Sequence, residues 1–445
     1  EVEMNYLGLT AKQVNAIQDL VGSIYYPSRL MRGPADVIEK NKLGQPGLWK
    51  FGISGDIPIM LLRISDESQL TSLRDVVSAY EYMKKNGMKL DFVILNEEKS
   101  DYFQPLQQKI SDTISNRKIY YPNNTHDGRI YLLKSRQMTE EEINLLLTVS
   151  RIVLSDRNRL LSRRVRKQLV EEIKVPALPL TTKPIRRYMP IPLDEEQLLF
   201  FNGIGGFTFN GDEYVIQMAE NQQTPAPWSN VISNEHFGCI VTNSGGGFTW
   251  HINSRENKLT SWSNDPVTDP PSEIVYIRDD DTGEYFTITP LPVRDREPYR
   301  IRHGMGYTVF EHNCYGLKQR MTIFVSEKDP VKVYRIEIEN ASGYHRNLSL
   351  YFYAELVMGV SREMTAPYIV TQMNKEDNVF TARNVYNTEF AGQVAFVSSS
   401  EAITSYSGDN TEFMGRGTYQ EQPFGLMNAE LCNKTGAALE PCAAV

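Results

Sequence analysis

Between Thr224 and Pro271 the chain reads TPAPWSNVISNEHFGCIVTNSGGGFTWHINSRENKLTSWSNDPVTDPP, which holds three of its four tryptophans, Trp228, Trp250 and Trp262. Their neighbours are Asn, Arg, Ser and Asp rather than aliphatics. An indole offers a flat apolar face, and amides, guanidinium and carboxylate offer donors and acceptors at fixed positions. A sugar presents the matching pair, an apolar ring face and a rim of hydroxyls. Arg255, Asn257, Asn264 and Asp265 are the polar candidates for vicinal hydroxyls, and Trp250 and Trp262 are the candidates to cover a ring face. The same residues also fit a long self-packed loop, in which Asn and Asp close Asx turns while Pro266, Pro270 and Pro271 stiffen the backbone. Composition leaves both readings open.

Other motifs carry less. Asn243-Ser-Gly-Gly-Gly-Phe has no strand-to-helix context and no Lys after its glycines, so it reads as a hairpin turn rather than a phosphate cradle. Ser54 in GISGDIP has its second glycine directly after the serine, which is the wrong spacing for a nucleophile elbow; a turn entering a strand is expected. His236, His251, His303 and His312 have no second ligand at a metal spacing, so neither a metal nor a cofactor is expected, and His251 stands out only for adjoining Trp250. Asp279, Asp280, Asp281 and Glu284 bunch too closely for a calcium loop and read as a charged hairpin tip. No pair of carboxyls declares itself for glycosidase chemistry.

The elements that must position these residues follow from composition and periodicity. With 445 residues, 41% hydrophobic and 23% charged, the chain is long enough for two or three domains with sizeable cores. A net charge of −8 argues against nucleic-acid and anionic-membrane partners. The one basic cluster, RLLSRRVRKQ (159–168), reads as a solvated face or linker flank. No apolar run has membrane-spanning length, and no basic, then apolar leader opens the chain. Cys239, Cys314, Cys432 and Cys442 are dispersed without CxxC spacing; read as reduced core thiols, they fit a cytoplasmic or inner-leaflet compartment. The acidic start EVEMNY and the small apolar end AALEPCAAV are read as cuts in a longer polypeptide.

The fold class expected is multidomain, α/β plus all-β. Residues 1–173 alternate helix and strand: a helix at Ala11–Ile24, strands at 57–64 and 90–96 around a helix at 67–85, a helix at 104–117, a strand at 129–134, and a long helix opened by the Thr139/Glu142 capping box. A proline-rich linker spans 174–194. From 195 to 445 the pattern is antiparallel β, with Asn-Gly turns at 202–203 and 210–211 and strands at 273–278, 285–289, 307–314, 319–325, 331–339, 346–357, 368–374, 378–384 and 392–398. A large sandwich buries such strands best.

GGF (205–207), DEYVI (212–216), TPAPWSNVISNEHFG (224–238), SGGGFTWHINSRENKLTSWSNDPVTDPP (244–271), DTGEYFTITPLP (281–292) and HGMGYTVFEH (303–312) together resemble the amino-terminal β-supersandwich of glycoside hydrolase family 94. LWKFGISGDIPIMLLRI (48–64) and LDFVILNE (90–97) resemble the segment that precedes it. The WSNDPV version is most similar to cyclic β-1,2-glucan synthases and 1,2-β-oligoglucan phosphorylases. The resemblance implies a parent enzyme that cleaves a β-glucosidic bond with inorganic phosphate as co-substrate, using one Asp in an (α/α)6 helical barrel after the sandwich. No residue here maps to that acid, so this portion is expected to be inactive alone. Its implied role is to shape the glucan cleft, with the barrel of the same polypeptide and a β-glucan oligosaccharide as partners, and homodimerisation as a family habit. A freestanding carbohydrate-binding or assembly module is the competing expectation.

Overall fold

A computed structural model gives the fold and describes residues 6–98, 105–115, 127–155, 186–417, 419–428 and 430–445. The basic cluster 159–168 and the first part of the proline-rich linker lie outside the described residues. The chain divides into two compact units, the first comprising Glu1–Lys174, Asn384–Gly392 and Gly436–Ala438, the second the remainder.

The first unit is built on a four-stranded parallel sheet of β1 (Ile59–Ile64), β2 (Asp91–Asn96), β3 (Ile130–Lys134) and β4 (Ser150–Leu154), in the order β3-β2-β1-β4. All six residues of β2 are buried, as a strand covered on both faces requires. The helix Leu70–Lys85 makes the crossover from β1 to β2 and buries Leu73, Val76, Val77, Tyr80 and Met83 on one face. The helix Ala11–Tyr25 starts at a reciprocal Thr10/Gln13 capping box and buries Val14, Ile17, Leu20 and Ile24. The Thr139/Glu142 box is formed as well. Its helix is short, however: it stops at Val149 and the chain turns straight into β4, which pairs with β1. The run SRIVL has the β-branched character of a buried strand, and pairing beside β1 overrides the helical reading of 150–154.

The second unit is antiparallel. A six-stranded sheet contains β5 (Gly205–Phe207), β6 (Glu213–Met218), β13 (Tyr299–Gly304), β14 (Tyr307–Cys314), β15 (Leu317–Val325) and β16 (Lys332–Asn340), in the order β16-β15-β14-β13-β6-β5. A nine-stranded sheet contains β7 (Ser229–Ser233), β8 (Phe237–Thr242), β9 (Gly247–His251), β10 (Lys258–Thr260), β11 (Glu273–Asp279), β12 (Tyr285–Thr287), β17 (Leu348–Gly359), β21 (Ser407–Asp409) and β22 (Pro441–Ala444). A small third sheet holds β18 (Ile369–Asn374), β19 (Val379–Asn384) and β20 (Ala395–Ser398).

Period-2 alternation explains the layers. Val275 and Ile277 of β11 join Ile216, Ile301, Phe310 and Met321 in the core between the two large sheets. Ile274 and Tyr276 of the same strand point the other way, onto Tyr353, Phe413 and Leu426. The parallel α/β sheet and the large antiparallel sheets agree with the expected fold class. Two details differ from the sequence reading. Cys432 is exposed whereas Cys239, Cys314 and Cys442 are buried. The DDDTGE segment is a hairpin tip, yet Asp279 is buried under Arg346, whose Nε lies 2.7 Å from its carboxylate.

Candidate functional site

The three tryptophans of the opening segment have different environments. Trp228 packs edge-on against Tyr214 at 5.8 Å and belongs to the sandwich core. Trp250 is the next-to-last residue of β9, and its indole lies over Gly238, its partner on β8; a Cβ there would come within 2.5 Å of the ring. Phe248, two residues earlier on the same face of β9, is buried and joins both remaining indoles. Its ring is 5.3 Å from that of Trp250 and 4.7 Å from that of Trp262, the latter stacked at 15°. Trp262 keeps 39% of its surface exposed. The result is a buried phenylalanine supporting a half-open indole, a rigid flat apolar surface. Sequence reasoning overlooked Phe248, although the i, i+2 spacing in Phe-Thr-Trp puts it on the Trp250 face.

The polar candidates separate in the same way. Asn257 is 2% exposed; its amide donates to the His251 carbonyl at 3.1 Å and to Gln393 Oε1 at 2.8 Å, so its donors are spent on holding the loop. Asp265 accepts the backbone N–H of Val267 at 2.8 Å and of Thr268 at 3.2 Å, and the Thr268 hydroxyl at 2.7 Å. These hydrogen bonds hold its carboxyl below the usual range. Arg255 is exposed, with Nε 3.3 Å from Glu256. Asn264 is exposed with a left-handed backbone, φ 51°. Arg255, Asn264 and Trp262 are therefore the candidates with surface to offer, and Asn257 and Asp265 are the struts of the loop.

The rest of the loop is equally constrained. Asp269, φ 40°, accepts the Thr242 hydroxyl at 2.6 Å and also that of Ser244, which ties the loop to the β8–β9 turn. That turn is the Asn243–Gly246 hairpin, as the glycine run implied, and Asp269 packs directly on it. A Cβ on Gly246 would meet Asp269 Oδ1 at 2.3 Å. Ile252, exposed and β-branched, has φ 65°. Such backbone strain persists only where surroundings over-determine it, and it concentrates at sites of binding.

Residues 212–445 match the supersandwich domain of glycosyl hydrolase 94. The chain belongs to this family. The whole chain is similar to the cyclic beta-(1,2)-glucan synthase NdvB of Rhizobium meliloti (strain 1021), 32% identical over 456 residues and covering 16% of that protein. About half of it is similar to the N,N'-diacetylchitobiose phosphorylase of Vibrio furnissii, 27% identical, and to the solabiose phosphorylase of Paenibacillus borealis, 28% identical; the match covers 54% and 53% of the chain and 31% of each relative. The family 94 chain thus corresponds to a part of longer relatives, whose other regions lie beyond it. Two of them are phosphorylases, enzymes that take phosphate as co-substrate. Among the described residues no helix is long and apolar enough to cross a membrane.

The histidines of the β unit are mostly structural. The Nε2–H of His303 donates to the Trp228 carbonyl at 3.1 Å, and burial pushes this ring down to about 4. His312 departs from the expectation of isolated histidines: together with Asp295 and Cys314 it forms a cluster whose N, O and S atoms all lie within 4.8 Å of one another. The pairing is not visible as a sequence motif because Asp295 arrives from a loop 17 residues upstream.

Proposed function

We propose that this chain is the front portion of a β-1,2-glucan-active enzyme, an inverting phosphorylase or a cyclic β-1,2-glucan synthase, and that it shapes the glucan cleft of a following (α/α)6 barrel without supplying the catalytic acid. In this reading residues 1–173 form an α/β domain, 174–194 a linker and 195–445 the supersandwich. Inorganic phosphate is the co-substrate of the full-length enzyme, and the compartment is the cytoplasm or the cytoplasmic side of the inner membrane. The similarity of the whole chain to a part of a cyclic beta-(1,2)-glucan synthase supports the substrate class. One observation carries the sugar contact: Trp262, 39% exposed, lies flat on buried Phe248 within a loop pinned by Asn257, Asp265 and Asp269. A pre-set aromatic face spends little conformational entropy when a pyranose covers it, and Arg255 and Asn264 stand beside it in sequence to meet hydroxyls.

Tryptophan fluorescence of the chain is expected to change saturably with β-1,2-gluco-oligosaccharides, and to lose that response in Trp262→Ala with the fold intact by circular dichroism. Phosphorolysis of the same glucan is expected only from a polypeptide that also carries the barrel. Turnover by residues 1–445 alone would overturn the non-catalytic assignment; an unchanged response in Trp262→Ala would overturn the site.

A further inference from the structure

We propose that Asp295, His312 and Cys314 form a binding site for a thiophilic divalent cation, with zinc as the reference ion, that ties the 293–298 turn to strand β14.

His312 and Cys314 are two residues apart on β14, so both side chains leave the same face of the strand, and Asp295 reaches them from the turn that leads into β13. The three donors are an imidazole nitrogen, a thiol sulfur and a carboxylate oxygen, a mixed set that suits zinc and not calcium or magnesium. Ligand atoms around a tetrahedral zinc stand roughly 3.3–3.8 Å apart for bonds of about 2.0–2.3 Å. Here the separations do not exceed 4.8 Å, so closure takes side-chain movements on the order of 1 Å.

Surrounding groups hold the donors in a ligating posture. His312 Nδ1 lies 3.0 Å from the Pro298 carbonyl, which can only accept, so Nδ1 carries a proton and the ring is fixed in plane. Tyr299 stacks on that ring at 3.8 Å and 6°. Nε2 therefore faces Asp295 Oδ2 at 2.9 Å, and two lone pairs at this distance require a positive centre between them, a proton or a metal ion. Without metal, protons fill these places: one lies between His312 and Asp295, and the Cys314 thiol hydrogen-bonds the same carboxylate, so a divalent ion would take the place of both. Gln319, 2% exposed, donates its amide to Cys314 Sγ at 3.0 Å, while its Oε1 is buried with no hydrogen-bond partner among the described residues. A donor aimed at sulfur marks it as an acceptor, and an orphaned amide oxygen beside it offers a neutral fourth ligand after an amide flip. Asp295 Oδ1 accepts the Glu297 N–H at 2.8 Å, which orients the carboxylate. The Asp295 side chain is 17% exposed and the His312 side chain fully buried, so the ion enters on the carboxylate side.

Cobalt(II) titration of the chelator-treated, reduced chain tests this. The expected result is an intense thiolate-to-cobalt charge-transfer band that saturates at stoichiometric metal, is displaced by zinc and disappears in Cys314→Ser. Asp295→Asn is expected to weaken zinc binding about 10–100-fold. Zinc should also raise the thermal midpoint of the wild-type chain and leave that of Cys314→Ser unmoved. No cobalt band from folded wild-type protein would overturn the site. A band that persists in Cys314→Ser would do so too, since exposed Cys432 would then be the ligand.

Discussion

His303 and Glu273 are ionisable groups that folding places where one protonation state is favoured. The His303 Nε2–H is held by the Trp228 carbonyl, while Nδ1 accepts from the Thr308 hydroxyl at 3.0 Å; burial then pushes the ring from its ordinary 6.5 down to about 4. Between these values the unfolded chain binds the proton and the folded chain does not, so stability rises with pH across the window and is lost as pH falls from 6.5 towards 4. The upper bound is about 3 kcal/mol. His303→Gln should flatten this slope in urea titrations run at successive pH values; the same slope as wild type would remove His303 from the account. Glu273 is buried with Lys332 Nζ at 2.6 Å and the hydroxyls of Thr249 and Thr260 each at 2.6 Å. Burial alone would raise its carboxyl, but the lysine and the hydroxyls outweigh it and bring it down to about 2. Its contribution is present above 4.5 and is lost as pH falls towards 2. A cavity of about 20 Å³ beside this pair, lined by Gly245, Gly246, Gly247 and Tyr334, has room for one water. Lys332→Met should cost about 3–5 kcal/mol because it leaves a buried carboxylate unpaired, and adding Glu273→Leu should recover much of that loss. Additive losses in that double-mutant cycle would show that the two side chains are not coupled.

Elements with strong local signals were legible from the sequence. Strand β14 falls on the expected 307–314, because alternation and the turns at either end leave one register. The hairpin at Asn243–Gly246 was equally plain. The helix expected to run on from Thr139 fails at Ser150 because the competing signal, pairing of SRIVL with β1, is long-range and leaves no mark in local periodicity. The candidate loop shows the same limit. Its aromatic and amide content was readable, but not which side chains work for the loop and which face outward, since Gln393, the partner of Asn257, lies 136 residues away and Thr242, the partner of Asp269, lies 27 residues away on another hairpin. That division yields a test at the scale of the loop. Asn257→Ala leaves Gln393 Oε1 without this donor and the His251 carbonyl with only the Asn253 N–H, and should cost about 1–3 kcal/mol in thermal or urea unfolding. Arg255→Ala, at an exposed position, should change stability by less than about 0.5 kcal/mol. If the two variants unfold alike, the assignment of Asn257 as a strut is wrong.

At the scale of the whole molecule, the first compact unit is discontinuous, since it takes in Asn384–Gly392 and Gly436–Ala438 as well as the amino-terminal segment. Its own packing depends on them. The Asn41 amide donates to the Val385 carbonyl at 2.8 Å, Gly44 is approached so closely by Thr388 that a Cβ would meet its methyl at 2.1 Å, and Glu39 Oε1 accepts the Ala437 N–H at 3.3 Å. Asn41 is 6% exposed, so without Val385 its amide would keep only the Leu43 carbonyl, also at 2.8 Å. A parallel sheet covered by helices should still collapse when residues 1–195 are expressed alone, because the described members of the hydrophobic cluster around Ile64, Tyr80, Phe92 and Ile152 all lie within that stretch. The fragment should nevertheless melt several degrees below the same unit in the intact chain: one or two lost buried hydrogen bonds and a bared surface amount to about 2 kcal/mol, and a domain of this size shifts by roughly 2–4 °C for each. Hydrogen exchange of the β2 amides, measured in the fragment and in the full chain, reads the difference directly. Equal protection in the two would mean that Asn384–Gly392 merely lies against a unit that is already whole.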